Sequence, residues 1–196
     1  MRKIMTVVLM MAAICMAACG SQKSAVTQTT IEAMKNGAIV HTIVEDFTEE
    51  YYNLDELSDM ISSSCSSYNQ KAGSERVIME SMELEDGILS VVMRYKNSED
   101  YSEFNGLPMF SGTIQEAVKA GYNLDVKLYP ADGGDISIGK TELLEMKNRH
   151  LLILREEVDV RMWDEVLYHS SNVMDTQDSD RVQVMSQDRL AYIVFR

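Results

Sequence analysis

With 196 residues, 31 of them acidic and only 18 basic, the chain carries a formal net charge of −13 and has material for one sizeable hydrophobic core, not two large ones. So negative a surface repels nucleic acid and anionic lipid, and no basic patch or basic–aromatic interleaving relieves it, so a nucleic-acid partner is excluded on sequence. The 45% hydrophobic fraction excludes wholesale disorder.

The first element is a leader. Arg2 and Lys3 give a short positive start, and Ile4 to Cys19 is an uncharged run broken only by Thr6. A basic start, an apolar stretch and small residues at its end are the pattern of a secretory signal peptide. The run is short for an uncleaved membrane helix, which needs roughly 20 apolar residues. Its end, Met16-Ala17-Ala18-Cys19-Gly20, resembles the lipobox of bacterial lipoproteins, with Met16 where leucine is usual. The resemblance implies cleavage before Cys19, acylation of its thiol and a mature N-terminus at that cysteine. Cys15 fits worse, because bulky Ile14 precedes it. The competing reading is ordinary signal-peptidase cleavage after the small-x-small sequence Ala18-Cys19-Gly20. Two acyl chains would hold the protein stably on a membrane. Cleavage would also remove two positive charges, making the mature chain still more acidic.

Residues 19–30 read as the lipidated cysteine and a polar tether reaching ~35–40 Å at full extension. Residues 31–196 then read as a single α+β body, with possible lobes at 31–135 (α+β) and 136–196 (mostly β). Asn36-Gly37 signals a hairpin, and Ala38 to Phe47 reads as a strand. Asn53 caps a helix running from about Leu54 to Asn69, with acids in its first turn and Gly73 beyond its end. Met82 and Leu84 alternate with polar residues up to the turn at Asp86-Gly87, and Leu89, Val91, Met93 and Tyr95 answer in alternation. Ser98 to Phe104 suggests a short helix ended by Gly106 and Pro108. Thr113-Ile-Gln-Glu116 is a capping box, with Gly121 as the stop. Leu124, Val126 and Leu128 alternate up to Pro130, and Thr141 to Lys147 suggests one or two helical turns.

From His150 the pattern becomes β throughout: Leu151–Leu154, Val158–Met162, Val166–His169, Arg181–Met185 and Leu190–Phe195. The fold class expected is α+β, with antiparallel sheets, two to four helices in the N-terminal two-thirds and a mostly β C-terminal third. The segments DFTEEYYNLDEL (46–57), YKNSEDYSEFNG (95–106), GTIQEAVKAGY (112–122) and RLAYIVF (189–195) are similar in texture to a group of uncharacterised lipoproteins from Gram-positive gut anaerobes. The likeness covers most of the mature chain and implies an exported, lipid-anchored protein. It brings no activity with it.

Gly134-Asp-Ile-Ser-Ile-Gly139-Lys140-Thr141 matches the phosphate-binding P-loop pattern. Two isoleucines and an aspartate inside it suit a phosphate cradle poorly, and no Walker-B aspartate ends the later apolar strand at Leu154. Nucleotide binding at Gly134, Gly139, Lys140 and Thr141 is therefore rejected. Asp132 to Asp135 and Asp175 to Asp180 lack the spacing of a calcium loop and read as turn chemistry. His41, His150 and His169 are scattered, without metal-site spacing. Cys65 falls on the helical stripe of Leu54, Leu57, Ile61 and Tyr68 and reads as a small buried hydrophobe. Tyr51, Tyr52, Tyr68, Trp163, Tyr168 and Tyr192 read as core packing, with an exposed aromatic platform as the alternative. No catalytic group, cofactor or metal site emerges. The expected role is non-enzymatic: a membrane-tethered extracytoplasmic lipoprotein, anchored through Cys19, that binds an unidentified protein or small molecule. The alternative is an extracytoplasmic hydrolase whose carboxylates converge only in the fold.

Overall fold

Alternating and continuous apolar runs sort the strands into two layers. The computed structural model describes residues 28–49 and 52–196. Cys19, the leader, Tyr51 and the tether up to residue 27 lie outside the described residues. Thr29 and Thr30, counted with the tether on sequence, belong to the fold. The Thr29 hydroxyl donates to the Val44 carbonyl and accepts from the Val44 N–H, and β1 (Thr30–Ala33) begins at the next residue. β1 turns at Gly37 (φ +87°) into β2 (Ile39–Asp46). Helix α1 (Leu54–Ala72) follows, capped by the Asn53 side chain and ended by Gly73 in the left-handed region. The hairpin of β3 (Val77–Glu85) and β4 (Ile88–Tyr95) turns at Asp86 and Gly87, both at positive φ. Next come α2 (Ser98–Asn105), β5 (Met109–Thr113), α3 (Ile114–Lys119), β6 (Leu128–Pro130) and α4 (Lys140–Glu145). The chain then runs only through strands: β7 (His150–Leu154), β8 (Val158–Arg161), β9 (Val166–Ser170), β10 (Val173–Asp175), β11 (Arg181–Val184) and β12 (Ala191–Phe195). The α+β class holds, with four helices among the described residues, all before His150.

One sheet has seven strands in the order β10-β11-β8-β1-β2-β4-β3, and the other has five in the order β5-β7-β12-β9-β6. Pairing is antiparallel except between β1 and β8. Both sheets draw strands from either side of residue 135, so the division into lobes at 31–135 and 136–196 is not followed. β8 pairs with β1, and β7 with β5.

The five-stranded sheet is the middle layer. β7 and β12 are buried on both faces, which is why they read as continuous apolar runs. Leu152, Leu154, Ile193 and Phe195 meet Ile31, Val91, Met93 and Tyr95 of the seven-stranded sheet in one core. Leu151, Ile153 and Val194 meet Ile114, Ala117 and Leu143 of α3 and α4 in a second. Helix α1 packs on β3 and adds Leu57, Ile61, Cys65 and Tyr68 to the first core. The Asn69 amide pins its end to β3, donating to the Val77 carbonyl at 2.8 Å and accepting from the Arg76 and Val77 N–H groups. No helix among the described residues is long and apolar enough to cross a membrane.

Candidate functional site

The segment matching the P-loop pattern is laid out as a helix start. Gly139 precedes α4, and Lys140 and Thr141 begin it. The Gly139 N–H that a phosphate would take donates instead to Glu142 Oε2 at 3.0 Å. Ile138 bridges to Leu128, and Ile136 stands 81% exposed, so the loop lies flat along β6 rather than wrapping a ligand. Gly134 sits in the turn held by Asp132.

The histidines and acids resolve into separate pairs. His150 packs against Trp163 and Phe195. His169 Nε2 lies 3.0 Å from Asp175 Oδ1, while its Nδ1 is 3.0 Å from the Ser170 carbonyl. Asp180 accepts from Arg161 at 3.1 Å. Among the described residues no three His, Cys, Asp or Glu side chains stand together as a metal site. Burial raises the Cys65 thiol pKa and keeps it protonated. Trp163, Tyr68 and Tyr192 pack on the cores.

Two groupings have chemistry that sequence reasoning missed. The first is enclosed. His41 on β2 faces the inter-sheet core beside Tyr101 of α2, with ring centroids 5.7 Å apart. Tyr101 donates its hydroxyl to Glu156, which follows β7, and His41 Nε2 is 3.7 Å from the other Glu156 oxygen. Neither His41 nitrogen has a hydrogen-bond partner among the described residues. Burial lowers the His41 pKa from 6.5 to about 4 and raises that of Glu156. At neutral pH the imidazole is thus uncharged. Neither of the two clefts described below reaches this cluster.

The second grouping is open. Where β6, β9 and the start of β12 meet, a cleft of about 240 Å³ is lined by Lys127, Tyr129, Ser170, Ser171, Asn172 and Arg189, with Val126, Leu190 and Tyr192 as apolar walls. Its floor is a fixed polar network. The Tyr192 N–H donates to the Ser170 hydroxyl at 2.9 Å, and that hydroxyl donates to Asn172 Oδ1 at 2.8 Å. Both Ser170 and Asn172 are buried. At the rim, Arg189 Nη2 donates to the Ser171 hydroxyl at 3.1 Å, and Lys127 Nζ stands 5.2 Å from the centroid of the Tyr129 ring. The Tyr192 hydroxyl donates to the Asn123 carbonyl at 3.0 Å and holds the 122–127 segment over the sheet. A wider depression at the C-terminal end of α1 and the loop after it is lined by Ser66, Asn69, Gln70, Gly73, Ser74 and Glu75. Asn69 is already committed there, and the carbonyl end of α1 gives that depression the wrong polarity for an anion.

In sequence the cleft residues fall in three short segments, 126–129, 170–172 and 189–192, far apart in the chain. Only the β6–β9–β12 pairing brings them together. No family model, curated protein or solved structure matches the chain.

Proposed function

We propose that this chain is a bacterial lipoprotein of the cell envelope, anchored at the extracytoplasmic face through acylated Cys19, whose body binds a ligand rather than catalysing a reaction. The location is supported by the sequence Met16-Ala17-Ala18-Cys19-Gly20 after an uncharged run. The observation that carries the binding role is the cleft at β6, β9 and β12. It offers positive charge, hydroxyls and an amide on a rigid floor, but no nucleophile paired with a base. Glu156, the carboxylate whose pKa burial raises, is engaged by the Tyr101 hydroxyl and faces His41.

The test of the anchor is fractionation of cells expressing the wild type and Cys19→Ala. The wild type should be found in the membrane at processed size and incorporate labelled palmitate. Cys19→Ala should lose the label and either leave the membrane or stay unprocessed. A mutant that remains membrane-bound at mature size would overturn the lipidation.

A further inference from the structure

We propose that the β6–β9–β12 cleft takes a small organic carboxylate, with its charged end between Lys127 and Arg189 and its carbon skeleton against Val126 and Leu190. This deepens the binding reading above and does not depend on the lipid anchor.

Charge is the first argument. In a chain with 31 acidic residues against 18 basic ones, the cleft lining contains two cations and no carboxylate. Arg76, Arg94, Arg161, Arg181 and Arg196 all stand within 4 Å of an acidic side chain. Lys127 and Arg189 have no such partner among the described residues, and neither do Arg149, Arg155 and the other lysines; these two are set apart because they line one cleft together. In so acidic a molecule, two cations without carboxylate partners at one opening form a local positive spot that an anion would neutralise.

Donor geometry is the second. One guanidinium nitrogen of Arg189 is tied to Ser171, which fixes the planar fork while its other N–H groups remain available. The Ser171 hydroxyl accepts that bond and keeps its own proton to donate. Asn172 uses one amide proton on the Arg189 carbonyl at 3.4 Å and has a second. A carboxylate needs donors on both oxygens, and a fork beside a hydroxyl supplies them.

The walls are the third argument. Val126 and Leu190 are half-buried and Tyr192 is buried, so the cleft is not wholly polar. An inorganic ion would leave that apolar lining wet, whereas a short carbon chain would cover it. A cleft of about 240 Å³ limits the ligand to a small molecule.

The experiment is an NMR titration of the ¹⁵N-labelled full-length chain in detergent micelles with isovalerate. Neutral isovaleramide serves as isostere and sodium chloride as the ionic-strength reference. Isovalerate should shift the amide signals of Lys127, Ser171, Asn172 and Leu190 saturably at millimolar concentration, and isovaleramide should not. The double variant K127Q/R189Q should weaken binding at least about tenfold, and raising the salt should weaken it in the wild type. Arg155→Gln, an exposed cation outside the cleft, should bind like the wild type. The proposal is overturned if isovalerate does no more than chloride, if isovaleramide binds equally, or if the shifts survive K127Q/R189Q. Saturation by inorganic phosphate with none by isovalerate would overturn the carboxylate assignment. None of these failures touches the anchor, which stands or falls with Cys19→Ala.

Discussion

Strand alternation sends His41 to the side of Ile39 and Ile43, into a core that gives neither ring nitrogen a hydrogen-bond partner. The consequence is a dependence of stability on pH. In the unfolded chain this imidazole takes its proton near its ordinary value of 6.5, and in the fold only near 4. Between those values the unfolded state holds a proton that the folded state lacks, so stability falls as the pH drops through that window. At 8% side-chain exposure the effect is little screened, and its upper bound is about 3 kcal/mol. Burial lowers the His150 pKa too, which works in the same direction. Glu156, raised by burial, works against both, because its protonation on acidification relieves a penalty in the fold. His41→Phe keeps a ring in the site and removes the ionisation. Melting temperatures measured from pH 7 down to pH 4 should therefore fall less steeply in the variant than in the wild type. Parallel curves would show that His41 is not the group responsible. At this scale the sequence was legible where periodicity fixes a facing: Cys65 lies buried on the stripe that helical spacing predicts. It was silent on Lys127 and Arg189, since an exposed cation beside a short strand has no pattern of its own.

Elements whose ends carry their own chemistry were read correctly from sequence, and those defined only by partners were not. Asn53 and Thr113 cap α1 and α3, and Asp86-Gly87 turns the β3–β4 hairpin, each through a local interaction visible within a few residues. At Gly87 (φ +81°) a β-carbon would also stand 2.7 Å from the Thr48 methyl, so the position admits only glycine without a shift. By contrast β5, with the sequence MFSGT, shows no alternation and exists because β7 pairs with it. Three-residue β10 is likewise made by β11. Leu124 to Pro130 alternates like one strand, yet only Leu128–Pro130 joins the ladder, while Leu124 packs into the helix-side core. Capping is the element-scale term open to direct measurement. The Thr113 hydroxyl accepts from the Glu116 N–H at 3.2 Å, and the Thr113 N–H donates to Glu116 Oε2 at 2.7 Å. Thr113→Ala should lower the unfolding free energy by about 1 kcal/mol in a urea titration, and Thr113→Ser should restore most of it. An unchanged midpoint in the alanine variant would mean that β5 pairing alone sets where α3 begins.

For the whole molecule, sequence supplied the class of the fold but not its closure, because strand patterns do not name partners. β1 lies between β2, its neighbour in sequence, and β8, more than half the chain away, in a parallel pair. The middle sheet is completed by β7 and β12, which fill the space between the seven-stranded sheet and helices α3 and α4. A chain ending after residue 135 would keep β1 to β6 and three helices, and local propensity in those elements would be intact. It would lose β8 from the edge of β1, β7 from the edge of β5 and β9 from the edge of β6. It would also lose Leu152, Leu154, Ile193 and Phe195 from a core in which each is essentially fully buried. At roughly 2 kcal/mol for each such side chain, those four alone represent ~8 kcal/mol. That is comparable with the 5–15 kcal/mol total stability usual for a domain. The inner face left on β1, β2, β3 and β4 would be apolar, and β1, β5 and β6 would each stand unpaired where β8, β7 and β9 had covered them. Residues 28–135 and 136–196 expressed separately should each give collapsed amide spectra and no cooperative melt. Mixed in equal amounts they should recover dispersed signals, because every broken pairing is between the two pieces. A cooperative thermal transition in the isolated 28–135 fragment would show that its own hairpins and helices bury enough apolar surface without the β-rich third.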